Sequence, residues 1–324
     1  MYVLELAGQD DEFAAYEAGS AASDVGLLAP GLATARAVSD RVGNLAFTHR
    51  ASELLGRADP TVEDARTLLS AATIDREGTV AVRAVDVRAT TGIDTQAVER
   101  ELGTVLVDRG FEVDLDRPDN ELRALFAAGD VGRTCALGWL AVESKRDYGT
   151  RQPGDRPFFQ PGSMDPMLAC ALANVAGARP RATVLDPMCG TGGILLEAGL
   201  VGARVVGLDR QEKMVRGSRT NLDAFLSDGW HVVQGDASAI PIATGAVDAV
   251  VFDTPYGRQS KIAGELDDLV CATLREARRV APSCVIVGDR PWTEQAREAG
   301  WTIDATFERR VHRSLTRYIL VLRE

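Results

Sequence analysis

The sequence predicts an α/β chain. Its C-terminal half folds around a parallel, doubly wound sheet finished by an antiparallel strand, behind a smaller α+β region. Three observations predict this. After residue 180, short runs rich in Val, Ile and Leu alternate with helix-spaced stretches, the pattern of buried parallel strands joined by crossover helices. The first four of these runs each end at or beside an aspartate. The last two runs are separated by His312-Arg313-Ser314-Leu315 alone, too short for a crossover, so they must pair as an antiparallel hairpin.

The elements follow in order. In the first half, residues 1–7, 44–51 and 79–89 read as strands, and 10–23, 61–73 and 95–110 as helices. Nothing there has the residue types of a catalytic centre. Residues 146–157 are polar, with two Pro and two Gly, and read as a linker between residues 1–145 and 158–324. Beyond it the expected strands are 182–186, 203–209, 230–236, 246–253, 282–289, 301–311 and 316–324, with helices over 194–202, 211–226 and 263–280 between them.

Composition excludes several classes. The 324 residues are 45% hydrophobic, enough for a core in each half, but no run approaches the ~20 apolar residues that span a bilayer. The opening MYVLELAGQDDEF lacks a basic-then-apolar leader pattern, which points to a cytoplasmic protein with no membrane partner. The five cysteines, at 135, 170, 189, 271 and 284, are scattered without a C-x-x-C pair. They suit core positions in a reducing compartment, and no metal site is expected. Net charge is −11, and only three of the 36 basic residues are lysines. An acidic, lysine-poor surface fits a halophile's cytoplasm, where charge is screened within about 3 Å at 1 M salt. The charge lies in residues 1–150, with 15 basic and 26 acidic side chains. That sign argues against a simple nucleic-acid binder. In high salt, though, an RNA would be held by short-range Arg contacts, stacking and shape.

Two motifs carry chemistry. Asp186-Pro187-Met188-Cys189-Gly190-Thr191-Gly192-Gly193 follows a strand and opens a helix, so backbone N–H groups can approach a ligand closely. Asp209 closes the next strand 19 positions after Gly190, the spacing of an acidic residue that reaches ribose hydroxyls. A nicotinamide cofactor would fit so far. The glycines run G-x-G-G rather than G-x-G-x-x-G, however, and with the Asp-Pro start this leans toward S-adenosyl-L-methionine. Asp236-Ala237 and Asp253 close the third and fourth strands, so four carboxylates are expected on one rim of the sheet. The second motif, Asp253-Thr254-Pro255-Tyr256, could be an ordinary turn. It also has the parts to methylate an exocyclic amine: a carboxylate and a carbonyl to take N–H bonds, and a ring to stack on the base.

The C-terminal half resembles the Rossmann-like class I amino-methyltransferases, with Asp253, Thr254, Pro255 and Tyr256 in place of their Asp-Pro-Pro-Tyr. The resemblance implies S-adenosyl-L-methionine as cofactor, its methionine end held by Asp186 and the Cys189, Gly190, Gly192 and Gly193 loop. It implies Asp209 for the ribose and Asp236 with Ala237 for the adenine. Phe159 and the Gln-Pro-Gly-Ser that follows it match the segment leading into the family's first helix, which also lines the cofactor site. Thr254 departs from the usual Pro, but the family uses that residue's carbonyl, which Thr also has.

Residues 80–126, with VDL-x-x-PD at 113–119, resemble the THUMP domain, an RNA-binding module of tRNA-modifying enzymes. Val311-His-Arg-Ser-Leu-Thr-Arg317 is similar to the ending of archaeal tRNA (guanine-10) methyltransferases. Together these imply mono- or dimethylation of the 2-amino group of guanosine 10 in tRNA, and allow a small zinc-containing activator protein as a second partner. Arg309, Arg310, His312, Arg313 and Arg317 are the densest basic cluster, either RNA contacts or a solvated hairpin. Methylation of guanosine 6 or an adenine, a catalytically silent RNA binder, and a nicotinamide-dependent oxidoreductase remain as alternatives.

Overall fold

The computed structural model describes residues 1–255, 263–312 and 315–324, with the backbone alone at 263, 311, 312 and 315. The chain forms two compact units, Met1–Lys145 and Arg146–Glu324. The first carries an eight-stranded mixed sheet with Tyr2–Leu6, Thr48–Ala58, Arg133–Glu143, Asn120–Ala128 and Thr79–Asp86 as successive neighbours. Helices Val62–Ala71 and Thr95–Asp108 bury Ala65, Leu69, Val98, Leu102 and Leu106 in one cluster with Val80, Leu122, Phe126 and Trp139 of the sheet. The hairpin of 120–128 and 133–143 was not among the expected strands, because Glu121 and Arg123 interrupt its apolar run. In the fold Arg123 is buried, and Glu5 accepts two bonds from its guanidinium at 2.9 and 2.8 Å.

The second unit follows the expected alternation. Its strands are β1 (Thr183–Asp186), β2 (Arg204–Asp209), β3 (Trp230–Gln234), β4 (Ala249–Asp253), β5 (Ser283–Gly288), β6 (Thr302–His312) and β7 (Leu315–Arg323). Among the described residues they lie in the order β3-β2-β1-β4-β5-β7-β6. β1 to β5 are parallel, and β7 runs antiparallel to both β5 and β6. The helices are α1 (Pro166–Ala176), α2 (Gly193–Leu200), α3 (Glu212–Phe225), α4 (Ala263–Val280) and α5 (Thr293–Glu298). Strand order reverses between β1 and β4, and in such sheets ligands bind beyond the strand ends at the reversal. Sequence periodicity did not mark α1, since it is buried and apolar nearly all round and has no polar stripe. Asp165 caps it, accepting the N–H groups of Met167 and Leu168. Among the described residues no helix is long and apolar enough to cross a membrane.

Residues 146–157, expected as a linker, fold as two short 3-10 turns within the second unit. The reason is one ion pair. Arg151 donates to both carboxylate oxygens of Glu197 in α2, at 2.8 and 2.9 Å, and Glu197 is 1% exposed. A buried pair satisfied this way fixes the segment, and removing one partner would strand the other charge.

The chain then reaches Phe158, whose ring packs on α3 at Gly217. A Cβ at Gly217 would fall 2.0 Å from that ring. Gly217→Ala should therefore destabilise the fold by about 1–3 kcal/mol through overpacking, despite alanine's better helix propensity. Urea unfolding would check this, and an unchanged or raised midpoint would contradict the close approach.

Candidate cofactor and catalytic site

The loop after β1 is built by backbone contacts that only glycine allows. Gly190 and Gly192 have φ of +51° and +77°, and a Cβ at Gly192 would meet Ser218 Oγ at 2.4 Å. The loop is tied to β2: the Gly190 N–H donates to Asp209 Oδ2 at 3.0 Å, and the Cys189 N–H to the Leu208 carbonyl at 2.8 Å. The Gln211 N–H binds the other Asp209 oxygen at 2.8 Å. Asp209 thus holds the loop as well as facing the cavity.

Sequence reasoning missed a residue that locks this arrangement. Asn221, fully buried in α3, accepts the Phe158 N–H at 2.8 Å and donates to the carbonyls of Phe158 and Thr191, each at 2.9 Å. One side chain therefore fixes the segment leading to α1, the glycine loop and α3 together. A buried Asn inside a helix that also carries exposed polar residues leaves no distinct mark in the sequence.

Two adjoining compartments open at the rim, with Met188, Gly190, Met214 and Asp253 in the walls of both. One, of about 210 Å³, is bounded by 160–164, Asp186, Cys189, Thr191 and Gly193. The other, of about 350 Å³, is bounded by Asp209, Asp236, Ala237, Pro255 and Leu269. The expected cofactor residues are thus brought together, with two qualifications. Phe159 is 49% exposed, and the lining begins one residue later at Gln160. Gly192 caps α2 behind the wall formed by Gly190 and Gly193. Among the described residues no group of three His, Cys, Asp or Glu side chains could hold a metal.

The electrostatics suit a cationic ligand. Burial pushes the Asp186 carboxyl well above the ordinary carboxylate range; the Met188 N–H opposes this, while Asp209 and Asp253 add to it. The Ser238 hydroxyl and N–H, at 2.7 and 2.9 Å, hold Asp236 below that range. A cation in the cavity would favour the ionised form of Asp186. The sulfonium and ammonium of S-adenosyl-L-methionine are such cations, and its hydroxyls and amine are donors that Asp209 and Asp236 can accept.

The candidate turn at Asp253 leaves β4 beside β5. The Thr254 N–H donates to the Val287 carbonyl at 2.8 Å, and its side chain turns inward to 1% exposure. Asp253 stays partly open, with Arg317 Nη2 at 3.7 Å from Oδ2. Arg317, expected either as an RNA contact or as part of a solvated hairpin, is 6% exposed and lies beside the rim carboxylate. Its β6 partner Arg309 is half-buried, while Arg310 is exposed. The basic cluster is therefore divided between the faces of the hairpin. Tyr256 and Arg313, and the side chain of His312, lie outside the described residues.

Two outcomes follow. Asp186 has its folded pKa raised above its unfolded value, so its ionisation costs stability, and that cost grows as pH rises past the usual carboxylate range. Asp186→Asn should raise the melting temperature of the ligand-free protein at pH 7–8, with the gain vanishing below about pH 4. It should also weaken S-adenosylhomocysteine binding about tenfold or more, as calorimetry would show. Asn221→Ala should do the reverse on stability, lowering it by about 2–4 kcal/mol through three lost buried bonds, and should weaken the same ligand. Unchanged affinity in Asn221→Ala would mean that the loop holds its shape alone.

A family model described as RMKL-like, methyltransferase domain, matches residues 153–319. The chain is 35% identical over 286 residues to the tRNA (guanine(10)-N2)-dimethyltransferase of Methanothermobacter thermautotrophicus, covering 86% of this chain and 83% of that one. It is 30% identical over 252 residues to the enzyme of the same name from Pyrococcus abyssi, covering 76% and 74%. TrmN from Thermus thermophilus shares the fold at a TM-score of 0.50 and 22% identity, over 100% of this chain and 99% of that one. With a strand order of 3-2-1-4-5-7-6 and this extent of identity, the chain belongs to the family of the tRNA (guanine(10)-N2)-dimethyltransferases, S-adenosyl-L-methionine-dependent methyltransferases.

Proposed function

We propose that this enzyme methylates the exocyclic 2-amino group of guanosine 10 in tRNA, once or twice. The observation that carries the proposal is the place of Asp253, at the end of β4 and in the walls of both cavity compartments. A base entering at that rim would meet a carboxylate beside the cofactor's reactive end. Bound S-adenosyl-L-methionine supplies an electrophilic methyl group. The protein's part is to prepare the nucleophile. An aryl amine is poorly nucleophilic because its lone pair is delocalised into the ring. Hydrogen bonds from its two protons to Asp253 and to the Thr254 carbonyl localise that pair toward the incoming methyl, and Asp253 is the nearest acceptor for the released proton. Tyr256 is the candidate to stack on the flipped base.

The guanosine and its position come from the names of the relatives, supported by the resemblance of 113–119 to a THUMP domain. On this reading the Met1–Lys145 unit holds the tRNA, with its negative charge screened in a salt-rich cytoplasm. A small zinc-containing activator is a further partner that the family resemblance supports.

The test is methyl transfer to tRNA transcripts. Replacing guanosine 10 by inosine, which lacks the 2-amino group, should abolish transfer, and Asp253→Asn should slow it by about 100-fold or more. Full transfer to the inosine transcript would sink the assignment to position 10. Full activity in Asp253→Asn would sink the role of the turn.

A further inference from the structure

We propose that Arg317 is the positioning residue of the catalytic carboxylate. It would keep Asp253 aimed at the rim, where the carboxylate accepts an amine N–H and then the released proton. The inference rests on the amine-methylating reading of the site and adds a residue to it.

The geometry comes from the hairpin. β7 is inserted between β5 and β6, antiparallel to both, with Tyr318 opposite Gly288 and Arg317 opposite Arg309. Arg317 lies one residue beyond the Gly288 pairing, near the end of β5 that adjoins Asp253, since Asp253 pairs with Val287. Its side chain is 7% exposed and its Nη2 sits 3.7 Å from Oδ2 of Asp253, whose side chain is 21% exposed. An arginine that buries itself to face a partly open carboxylate is poorly placed to grip a phosphate backbone.

The charge balance gives the pairing a purpose. Asp253 faces Arg317 from β7 and Asp186 from β1, and Asp209 of β2 shares its cavity. Neighbouring carboxylates repel one another's charge, and a cation on the opposite side offsets that repulsion. The arginine comes from the hairpin strand β7, so the side of Asp253 that lines the cavity is left clear.

The experiment compares wild type, Arg317→Lys and Arg317→Met. Removing the charge should lower kcat about 10–100-fold and move the acid limb of the kcat–pH profile upward by about one unit. KM for tRNA and affinity for S-adenosylhomocysteine should stay within about twofold. Arg317→Lys should restore the pH profile more fully than kcat, because it keeps the charge and loses the planar fork. Carbon-13 NMR of the Asp253 carboxyl, without RNA, should show it titrating at higher pH in Arg317→Met than in wild type. That readout separates the two readings: an inactive wild type with the NMR shift present would fail the methyl-transfer reading alone. A raised KM for tRNA with a weaker salt dependence, no displaced acid limb and no NMR shift would make Arg317 an RNA contact and overturn the proposal.

Discussion

The first four parallel strands each run into an aspartate, and this brings four carboxylates to one edge of the sheet. Each charge is handled by a different neighbour. Asp209 takes the Gly190 and Gln211 N–H groups, and Asp236 takes the hydroxyl and N–H of Ser238. Asp253 has the guanidinium of Arg317 beside it. Asp186, the most buried, has the Met188 N–H, and burial drives it toward the neutral form. A cationic ligand would offset that burial cost.

The carboxylates are useful only if the loop beside them keeps its shape, and close packing supplies this. A Cβ at Gly207 of β2 would fall 2.6 Å from Leu195 of α2 and 3.1 Å from Cys189 Sγ, so glycine there lets the loop and helix settle directly on the strand. Asn221 then joins three chain segments that are far apart in sequence. Behind them, Arg151 and Glu197 fasten the entry segment to α2. Loop geometry thus depends on a buried amide and a buried ion pair that themselves lie outside the cavity.

The parts legible in the sequence were those set by local pattern. Strand ends could be read because buried parallel strands are continuous apolar runs that stop abruptly at polar residues, and this placed Asp186, Asp209, Asp236 and Asp253 on one rim. The unread parts depend on pairing across the fold. Arg317 belongs to a basic cluster by composition, and only the register of β7 between β5 and β6 turns it inward. The sequence of 146–157 reads as a linker because Arg151 finds its partner, Glu197, 46 residues away. Helix α1 was hidden by too much hydrophobicity and the 120–128 strand by too much charge, opposite failures of the same periodicity signal.

Thr254 shows how a departure from a motif can be compensated. A proline there would fix the backbone through its ring, but it has no N–H to give. Threonine has one, and it donates to the Val287 carbonyl, extending the β4–β5 pairing by one residue into the turn. Its side chain fits because Gly288 is bare: a Cβ there would fall 2.4 Å from Trp292 Nε1 and 3.0 Å from Thr254 Oγ1. Both of those polar atoms are buried without a hydrogen-bond partner among the described residues, an energetic cost of the local packing. Rigidity that the family's Asp-Pro-Pro-Tyr draws from a ring is here drawn from a ladder hydrogen bond. The Thr254 carbonyl is then held by the sheet itself, the same scaffold that carries Asp253.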